Sequence, residues 1–257
     1  MPDHIQPPGH TPVGIDIGGT KLLMVVYGDE GQQVYRFSTG KGAGPETLLG
    51  HVLPLLEGLE SPVIGVAIPG MVDAAGRVRD CDVLPGLVGW EPARWLPNVK
   101  AVVNDGEAAL EVVAAGAGAD ATVAAIGIGT GIAAAFQVAG RRLRRYRPYA
   151  AELGFAPYGA SMTFDEAASG ATVAADPGKV AEAAEAFGAA LVTVLHLMHP
   201  EVIGLYGGTL KWPGYLEGAL AAYERRGHPL LRGQCRVEVL PEADLVVAKG
   251  AMFAACS

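Results

Sequence analysis

The sequence predicts an α/β fold made of two similar halves. In the first half, apolar runs at residues 13–17 and 22–27 flank Gly18-Gly19, and in the second half, runs at residues 122–128 and 132–138 flank another glycine turn. Short apolar runs separated by glycine are typical of buried strands, and later segments show the apolar spacing of helices. The repeated pattern therefore predicts a duplicated α/β fold with two lobes and a central cleft that holds a ligand.

The predicted elements divide the chain between these lobes. We expect residues 1–107 to form an N-terminal α/β lobe and residues 108–242 a C-terminal one. A helix at residues 243–257 is expected to pack on the N-terminal lobe. Residues 1–12 contain several prolines and histidines and lack the apolar core of a signal peptide, so we expect a loose tail.

Length and composition exclude several classes of protein. The chain has 257 residues, 50% of them hydrophobic, and a net charge of -8. It is large enough to bury a core without disulfides, and its acidic balance disfavours nucleic-acid and membrane-surface partners. Cys81, Cys235 and Cys256 are far apart, which predicts reduced thiols in a cytoplasmic protein. The uncharged stretch at residues 121–140 has the length of a membrane span, but glycines interrupt it, so we expect two strands there.

The two glycine turns are candidate phosphate-binding sites. The first follows Asp16 and contains Gly18, Gly19, Thr20 and Lys21, while the second contains Gly127 to Gly131. Glycine lets backbone N–H groups approach an anion closely, and a carboxylate beside such a turn can hold Mg²⁺. One such turn could equally be an ordinary hairpin. Two of them in matching places of the two halves indicate a polyphosphate held from both sides.

Four polar residues are candidates for contacts with a polyhydroxylated substrate. Asn104 and Asp105 stand where a strand ends and a helix begins, so Asp105 could accept a proton from a hydroxyl that Asn104 orients. The same pair could simply cap the helix. Glu152 and Glu166 are further acids in a stretch with few charges, and they could instead be plain surface residues.

With these motifs the sequence resembles the ROK family of bacterial sugar kinases, which have the ribonuclease H-like fold of the actin-like ATPases. The matching motifs follow the family order along nearly the whole chain. They are Asp16-x-Gly18-Gly19-Thr20-Lys21, Pro69-Gly70-x-Val72-Asp73, Asn104-Asp105, Gly127-x-Gly129-Thr130-Gly131, Glu152-x-Gly154, Glu166-x-x-Ser169-Gly170 and Pro200-Glu201-x-Ile203 before Gly207-Gly208.

The resemblance implies phosphorylation of a hexose or related sugar by ATP with Mg²⁺, in a cytoplasmic homodimer. Asp105 would be the general base and Asp16 would organise Mg²⁺, directly or through water. The family roles imply phosphate contacts for Gly18, Gly19, Thr20, Lys21, Gly129, Thr130 and Gly131, nucleotide contacts for Gly207 and Gly208, and sugar contacts for Pro69, Gly70, Asn104, Glu152 and Glu166. Phosphoryl transfer depends mainly on positioning and charge neutralisation, which such loops and carboxylates provide.

The sequence also departs from the family pattern. Phe155 stands where the family has a histidine that binds both zinc and sugar, and residues 161–165 replace its cysteine-rich zinc motif. We therefore expect no structural zinc. Phe155 cannot hydrogen-bond a sugar hydroxyl, and Asp82 replaces an asparagine before the Trp90 loop, so the usual preference for glucose is not implied.

Other functions fit parts of the sequence. Arg141, Arg142, Arg144, Arg145 and Arg147 form a basic run that is typical of a solvated loop or a dimer contact, or that could bind a long anion such as polyphosphate. Polyphosphate-dependent glucokinases are similar to the ROK family and also lack the zinc motif, so they are a further alternative. Sugar-sensing repressors share the fold and carry a DNA-binding helix-turn-helix before the first strand; because only twelve residues precede Val13 here, we expect a kinase rather than a repressor. A sugar-binding protein without catalysis is the third alternative. His196 and His199 are assigned no chemistry.

Overall fold

The computed structural model of the protein describes residues 9–28, 31–40, 42–143 and 150–257. These residues divide into two units, which are described separately. Unit 1 comprises Met1–Ala115 and Leu245–Ser257, and unit 2 comprises Gly116–Asp244. Most of the expected tail, as well as Arg144, Arg145 and Arg147 of the basic run, lies outside the described residues.

Unit 1 contains a mixed sheet that has five strands within the described residues, in the order β3-β2-β1-β4-β7. Its strands and the small hairpin β5-β6 are β1 (Thr11–Ile17), β2 (Lys21–Gly28), β3 (Gly31–Ser38), β4 (Pro62–Ile68), β5 (Met71–Val72), β6 (Val78–Asp80) and β7 (Val99–Asn104). Strands β1, β2 and β3 form an antiparallel meander, whereas β4 pairs in parallel with both β1 and β7. The carboxyl ends of β1, β4 and β7 therefore meet at one edge of the sheet.

Helices cover both faces of this sheet. They are α1 (Pro45–Leu56), α2 (Asp105–Ala115) and α8 (Val246–Cys256). Side chains alternate between the faces of a strand; accordingly, Val13 and Ile15 share one core cluster with Leu48 of α1, whereas Ala67 packs with α2 and α8 on the opposite face. Pro54 lies inside α1, where it removes one helical N–H donor, and the helix ends two residues later at Leu56.

Helix α8 approaches its neighbours through glycines. A Cβ atom on Gly14 of β1 would overlap the backbone oxygen of Ala248, and one on Gly65 of β4 would overlap that of Ala251. In the same way, a Cβ atom on Gly250 of α8 would overlap the backbone of Ala108 in α2. Only glycine permits this backbone-to-backbone packing, so these positions fix α2 and α8 against the sheet.

Unit 2 repeats the topology of unit 1. Its sheet has the order β10-β9-β8-β13-β14 and five strands among the described residues. Its strands and the hairpin β11-β12 are β8 (Val123–Ile128), β9 (Ile132–Val138), β10 (Arg141–Arg142), β11 (Pro157–Tyr158), β12 (Met162–Thr163), β13 (Val202–Tyr206) and β14 (Arg236–Val239). As in unit 1, three antiparallel strands precede two parallel ones. The predicted duplication and α/β fold class are confirmed.

The core of unit 2 lies between its sheet and a long helix. Within residues 150–244 the helices of this unit are α3 (Phe164–Ala168), α4 (Gly170–Ala175), α5 (Val180–Met198), α6 (Tyr215–Arg226) and α7 (Pro229–Arg232). Phe187 and Leu191 of α5 are fully buried and pack with Ile126 and Tyr215. Pro200 follows the end of α5, where proline is common because it cannot continue a helix.

The described residues include one helical segment, Pro177–Met198, whose length and composition would allow it to cross a membrane. Half of its apolar window is buried within the protein. The other apolar stretch, at residues 121–140, contains β8 and β9 joined by the glycine turn, as predicted.

The close packing of α8 predicts that one methyl group added at Gly65 strongly lowers the stability of the protein. Gly65→Ala should lower the free energy of unfolding by about 3 kcal/mol or more, because the new methyl meets backbone that cannot move aside. The matched control is Gly50→Ala on the exposed side of α1, where a Cβ atom meets nothing within 4 Å. That change should leave stability unchanged or raise it by up to about 1 kcal/mol. Urea unfolding of both variants measures the difference, and equal stabilities would contradict the tight packing.

Candidate functional site

The candidate site in unit 1 lies at the carboxyl edge of the parallel strands. Asp16 in β1 pairs with Ala67 in β4, and Ile68 in β4 pairs with Asn104 at the end of β7. The backbone then turns at Pro69-Gly70, where Gly70 has φ 102, a conformation that favours glycine. Ligands in α/β sheets bind beyond the carboxyl ends of parallel strands. The fold therefore brings Asp16, Pro69-Gly70 and Asn104 to the same edge of the sheet.

Asn104 serves as the N-cap of α2. Its Oδ1 accepts a hydrogen bond of 2.7 Å from the backbone N–H of Glu107, and its own N–H donates to the Glu107 carboxylate at 3.2 Å. This reciprocal pair is a capping box, which fixes where α2 begins. Asn104 is buried, with 5% of its surface exposed. The cap uses Oδ1, so a substrate contact would use the amide Nδ2.

Asp105 is the first residue of α2 and accepts a hydrogen bond of 2.8 Å from the N–H of Gly106. The negative charge of Asp105 also acts on Asp16 and raises its pKa. The two carboxylates therefore lie close enough to repel each other, although 88 residues separate them in the chain. Fold geometry, rather than sequence proximity, creates this acidic pair.

Asp16 has a strongly perturbed pKa. Burial of its carboxylate, followed by repulsion from Asp105, raises the pKa to about 7, while Lys21 acts in the opposite direction. Asp16 lies on the sheet face that α2 and α8 cover, where the carboxylate loses much of its hydration. A bound cation would offset both effects, because it favours the charged form of each carboxylate.

The first glycine turn joins β1 to β2. The N–H of Gly18 donates to the carbonyl of Lys21 at 2.8 Å, and the carbonyl of Gly18 accepts from the Thr39 hydroxyl at 2.7 Å. A Cβ atom on Gly19 would overlap Val83, so the turn also needs glycine for packing. Hydrogen bonds from Thr39 thus tie the turn to β3 and fix its conformation.

The second glycine turn joins β8 to β9 and is braced in a similar way. The carbonyl of Gly129 accepts from the N–H of Gly170 at 2.7 Å and from the hydroxyl of Thr209 at 3.2 Å. Thr130 accepts from the N–H of Ala171 at 3.3 Å. Both turns therefore have a glycine carbonyl bonded to a threonine hydroxyl within the protein, a repeated feature that the sequence did not reveal.

Gly207 and Gly208 follow the carboxyl end of β13. Gly207 has φ 113, and a Cβ atom there would overlap the backbone of Ile128. Gly208 begins a 3-10 turn, and a Cβ atom on it would meet nothing within 4 Å. The pair lies beside β8, whose last residue precedes the second glycine turn. The expected nucleotide contact of these glycines stays a prediction.

Unit 2 also brings three acidic side chains together. The pKa of Asp165 is raised, mainly by burial and also by the charges of Glu152 and Glu166. Glu166 closes a capping box at the start of α3, where its Oε2 accepts from the N–H of Thr163 at 2.8 Å. Ala151, directly before Glu152, has φ 72, a conformation that costs a non-glycine residue about 1 kcal/mol. Sequence reasoning identified both glutamates but missed Asp165.

Two positions that depart from the family pattern, Asp82 and Phe155, are exposed. Phe155 ends a short 3-10 turn with 67% of its surface exposed. Among the described residues, no cluster of three or more His, Cys, Asp or Glu side chains could hold a metal ion. A carboxylate such as that of Asp16 is of the kind that could hold Mg²⁺, which proteins commonly bind through one or two carboxylates together with substrate phosphates. Whether the protein contains zinc stays a prediction.

Comparison with known proteins relates the chain to solved structures only. No protein-family model and no curated protein matches it. The ROK hexokinase of Thermus thermophilus superposes with a TM-score of 0.75 at 24% identity, covering 95% of this chain and 97% of that one. The ROK family glucokinase of Streptomyces griseus, solved with glucose and AMPPNP, gives a TM-score of 0.72 at 19% identity over 94% and 98% of the two chains.

This chain has the fold of these ROK structures. An inorganic polyphosphate/ATP-glucomannokinase from Arthrobacter sp. shares it, with a TM-score of 0.70 and 23% identity over 96% of this chain and 98% of that one. A ROK family transcriptional regulator shares it too, with a TM-score of 0.72 at 16% identity. The resemblance to the ROK family is therefore confirmed for the fold. Because this fold serves both kinases and a regulator, function has to be argued from the site.

The perturbed pKa of Asp16 predicts a pH-dependent effect on stability. The folded state binds a proton at Asp16 more tightly than the unfolded chain does, so this group destabilises the ligand-free protein increasingly as pH rises from about 4 to about 7. Asp16→Asn should therefore stabilise the protein at pH 8, by on the order of 2 to 4 kcal/mol, and less at pH 5. Urea unfolding at the two pH values measures the gain.

Asp73→Asn is the matched control for this prediction. Hydrogen bonds from the Arg77 N–H and the Arg79 side chain lower the pKa of Asp73, so its carboxylate stabilises the fold at any pH above its unfolded pKa. The loss on Asp73→Asn should be the same at pH 5 and pH 8. An Asp16→Asn effect that is destabilising, or equal at both pH values, would show that Asp16 is not a buried, proton-binding carboxylate.

Proposed function

We propose that the protein is a ROK family sugar kinase that transfers a phosphoryl group from ATP, with Mg²⁺, to a hydroxyl of a hexose or related sugar. The observation that carries this proposal is the coupled pair Asp16 and Asp105 at the carboxyl edge of a parallel sheet, beside a braced glycine turn. Such a pair is costly in a protein without a cationic ligand. The proposal of a sugar kinase is also supported by the kinases that share the fold.

On the acceptor side, Asp105 is the proposed general base. Its carboxylate would accept the proton of the attacking sugar hydroxyl while the capped Asn104 holds that hydroxyl in place through Nδ2. A weak base suffices, because phosphoryl transfer depends mainly on positioning and on neutralising charge. The capping box contributes by fixing the direction in which α2 presents Asp105.

On the donor side, Asp16 would hold Mg²⁺ together with the nucleotide phosphates. Mg²⁺ supplies charge neutralisation for the transferred group. The backbone of Gly18 to Lys21 would bind phosphate, and Lys21 would add a positive charge. We further propose that Gly129 to Gly131 bind phosphate and that Gly207 and Gly208 contact the nucleotide. These roles are supported by the carbonyls of Gly18 and Gly129, which accept hydrogen bonds from threonine hydroxyls. Because these carbonyls are already bonded within the protein, fewer acceptor groups would face a bound anion.

Glu152 and Glu166 are the proposed additional sugar ligands, with Pro69 and Gly70 lining the sugar side. Since Oε2 of Glu166 already accepts from Thr163, a sugar contact would use Oε1. Exposed Phe155 offers an apolar surface where the family histidine would offer hydrogen bonds. The identity of the sugar is therefore open, and the homodimeric state and cytoplasmic location remain predictions of the family resemblance.

The experiment that tests this function is a sugar panel. Hexoses, amino sugars and N-acetylated sugars are assayed for phosphorylation with ATP and Mg²⁺. Turnover of at least one sugar is expected. Sugar binding without turnover across the panel would instead favour the sugar-binding alternative without catalysis.

Asp105→Asn provides the mechanistic prediction. The change keeps the shape of the side chain but removes the proton acceptor, so turnover should fall by at least about a hundredfold while nucleotide affinity stays within about threefold. Glu57→Gln, an exposed carboxylate at the end of α1, is the control and should leave both quantities unchanged. Substantial turnover by Asp105→Asn would show that another group accepts the proton.

A second candidate donor is inorganic polyphosphate. The basic run beginning at Arg141-Arg142 favours it, as does the fold shared with a polyphosphate/ATP-glucomannokinase. We expect ATP to serve as phosphoryl donor. Polyphosphate would serve as a second donor only if the arginines bind a long anion. Initial rates with each donor decide this. Activity with ATP alone removes the polyphosphate role, and activity with polyphosphate alone contradicts the ATP-dependent proposal.

A further inference from the structure

Asp165 occupies an unusual position in unit 2. Its Oδ1 accepts a hydrogen bond of 2.6 Å from the N–H of Ile132, the first residue after the second glycine turn. This bond joins residues 33 positions apart in the chain. Asp165 also directly precedes Glu166 on α3, so one side chain connects the start of α3 to the end of the glycine turn.

Two glycines make room for this carboxylate. A Cβ atom on Gly131 would lie 3.3 Å from Oδ2 of Asp165, and one on Gly154 would overlap Oδ1. Gly131 belongs to the glycine turn, and Gly154 lies two residues after Glu152. The carboxylate of Asp165 is therefore surrounded by the turn, by the Glu152 loop and by the helix that carries Glu166.

We propose that Asp165 is a positioning residue that holds the second glycine turn in register with the two glutamates of the sugar-binding loops. The inference rests on the proposed function, since it assigns the turn to the phosphates and the glutamates to the sugar. Asp165 itself touches neither substrate. It acts through Ile132, Gly131 and Gly154. In unit 2, the residues proposed to contact the phosphates and those proposed to contact the sugar are therefore held in place by the same side chain.

An ordinary structural brace is the competing explanation. The acidic surroundings argue against it, because Glu152 and Glu166 both disfavour the charged form of Asp165. An apolar side chain would fill the same space without this repulsion. What Asp165 adds is a side-chain acceptor for the Ile132 N–H, which sets the direction of the backbone at the turn.

Steady-state kinetics of the full-length protein distinguish the two explanations. Asp165→Ala should raise KM for ATP and for the sugar together, each by at least about tenfold, as expected for the loss of a hydrogen bond to a charged group. Asp165→Asn retains an Oδ1 acceptor and should restore both KM values to within about threefold of the unmodified protein. A brace that only stabilises the fold would lower the amount of active enzyme, and hence apparent kcat, at unchanged KM.

Asp176→Ala is the matched control, because the exposed Asp176 also accepts a backbone hydrogen bond, from the N–H of Gly178 at 3.0 Å. It should change neither KM. If Asp165→Ala fails to fold, Asp165→Val replaces it, since valine fills much of the volume but cannot accept a hydrogen bond. Unchanged KM values in the folded variant, or equal defects in the Asn and Ala variants, would overturn the inference.

Failure of the proposed function would be recognised separately. If no sugar is phosphorylated, titration calorimetry with Mg²⁺-ADP and hydrogen exchange of the amides at residues 127–134 replace the kinetic readouts. Weaker ADP binding and faster exchange in Asp165→Ala, with rescue by Asp165→Asn, would retain the positioning role without the kinase. Equal ADP binding and equal exchange in all three proteins would overturn it.

Discussion

The close approach of α8 to the sheet and to α2 is the constraint on which the acidic site depends. Gly14 and Gly65 let the backbone of α8 rest on β1 and β4, and Gly250 lets α2 rest on α8. These contacts leave α2 no freedom to shift along the sheet, so its first residue, Asp105, stays near Asp16 at the end of β1. A helix formed by the last residues of the chain thereby determines the geometry of a site formed by residues near its beginning.

The acidic pair of Asp16 and Asp105 lowers the stability of the ligand-free protein. Burial and the charge of Asp105 both disfavour ionised Asp16. A protein selected for stability alone would place a neutral residue at this position. The cost is useful if the site receives a cation and a phosphate chain, because a cation held by Asp16 stabilises its ionised form and the free energy released then adds to binding. The cost in the ligand-free state and the affinity for a metal-bound nucleotide have the same physical origin.

The sequence was most informative where local chemistry determines structure. Glycine turns between apolar runs predicted both sheets, and Asn104 before a helical pattern predicted the start of α2. The spacing of Thr163 and Glu166 is that of a capping box and could have been recognised too. The link from Asp165 to Ile132 could not, because it crosses 33 residues and leaves no periodic pattern. The coupling of Asp16 to Asp105 and the three backbone contacts of α8 likewise arise from tertiary packing, which sequence spacing does not encode.

The two units show how one topology can support different tasks. In both, a glycine turn joins the first two antiparallel strands, and a threonine hydroxyl bonds its glycine carbonyl. The first turn has Asp16 and Lys21 at its ends, charged groups suited to a metal-bound phosphate. The second has no charged residue between Gly127 and Gly131 and is held from outside by Gly170, Thr209 and Asp165. If the second turn binds phosphate as proposed, it attracts the anion through its backbone dipoles, so its conformation matters more, and its larger number of braces is consistent with that role.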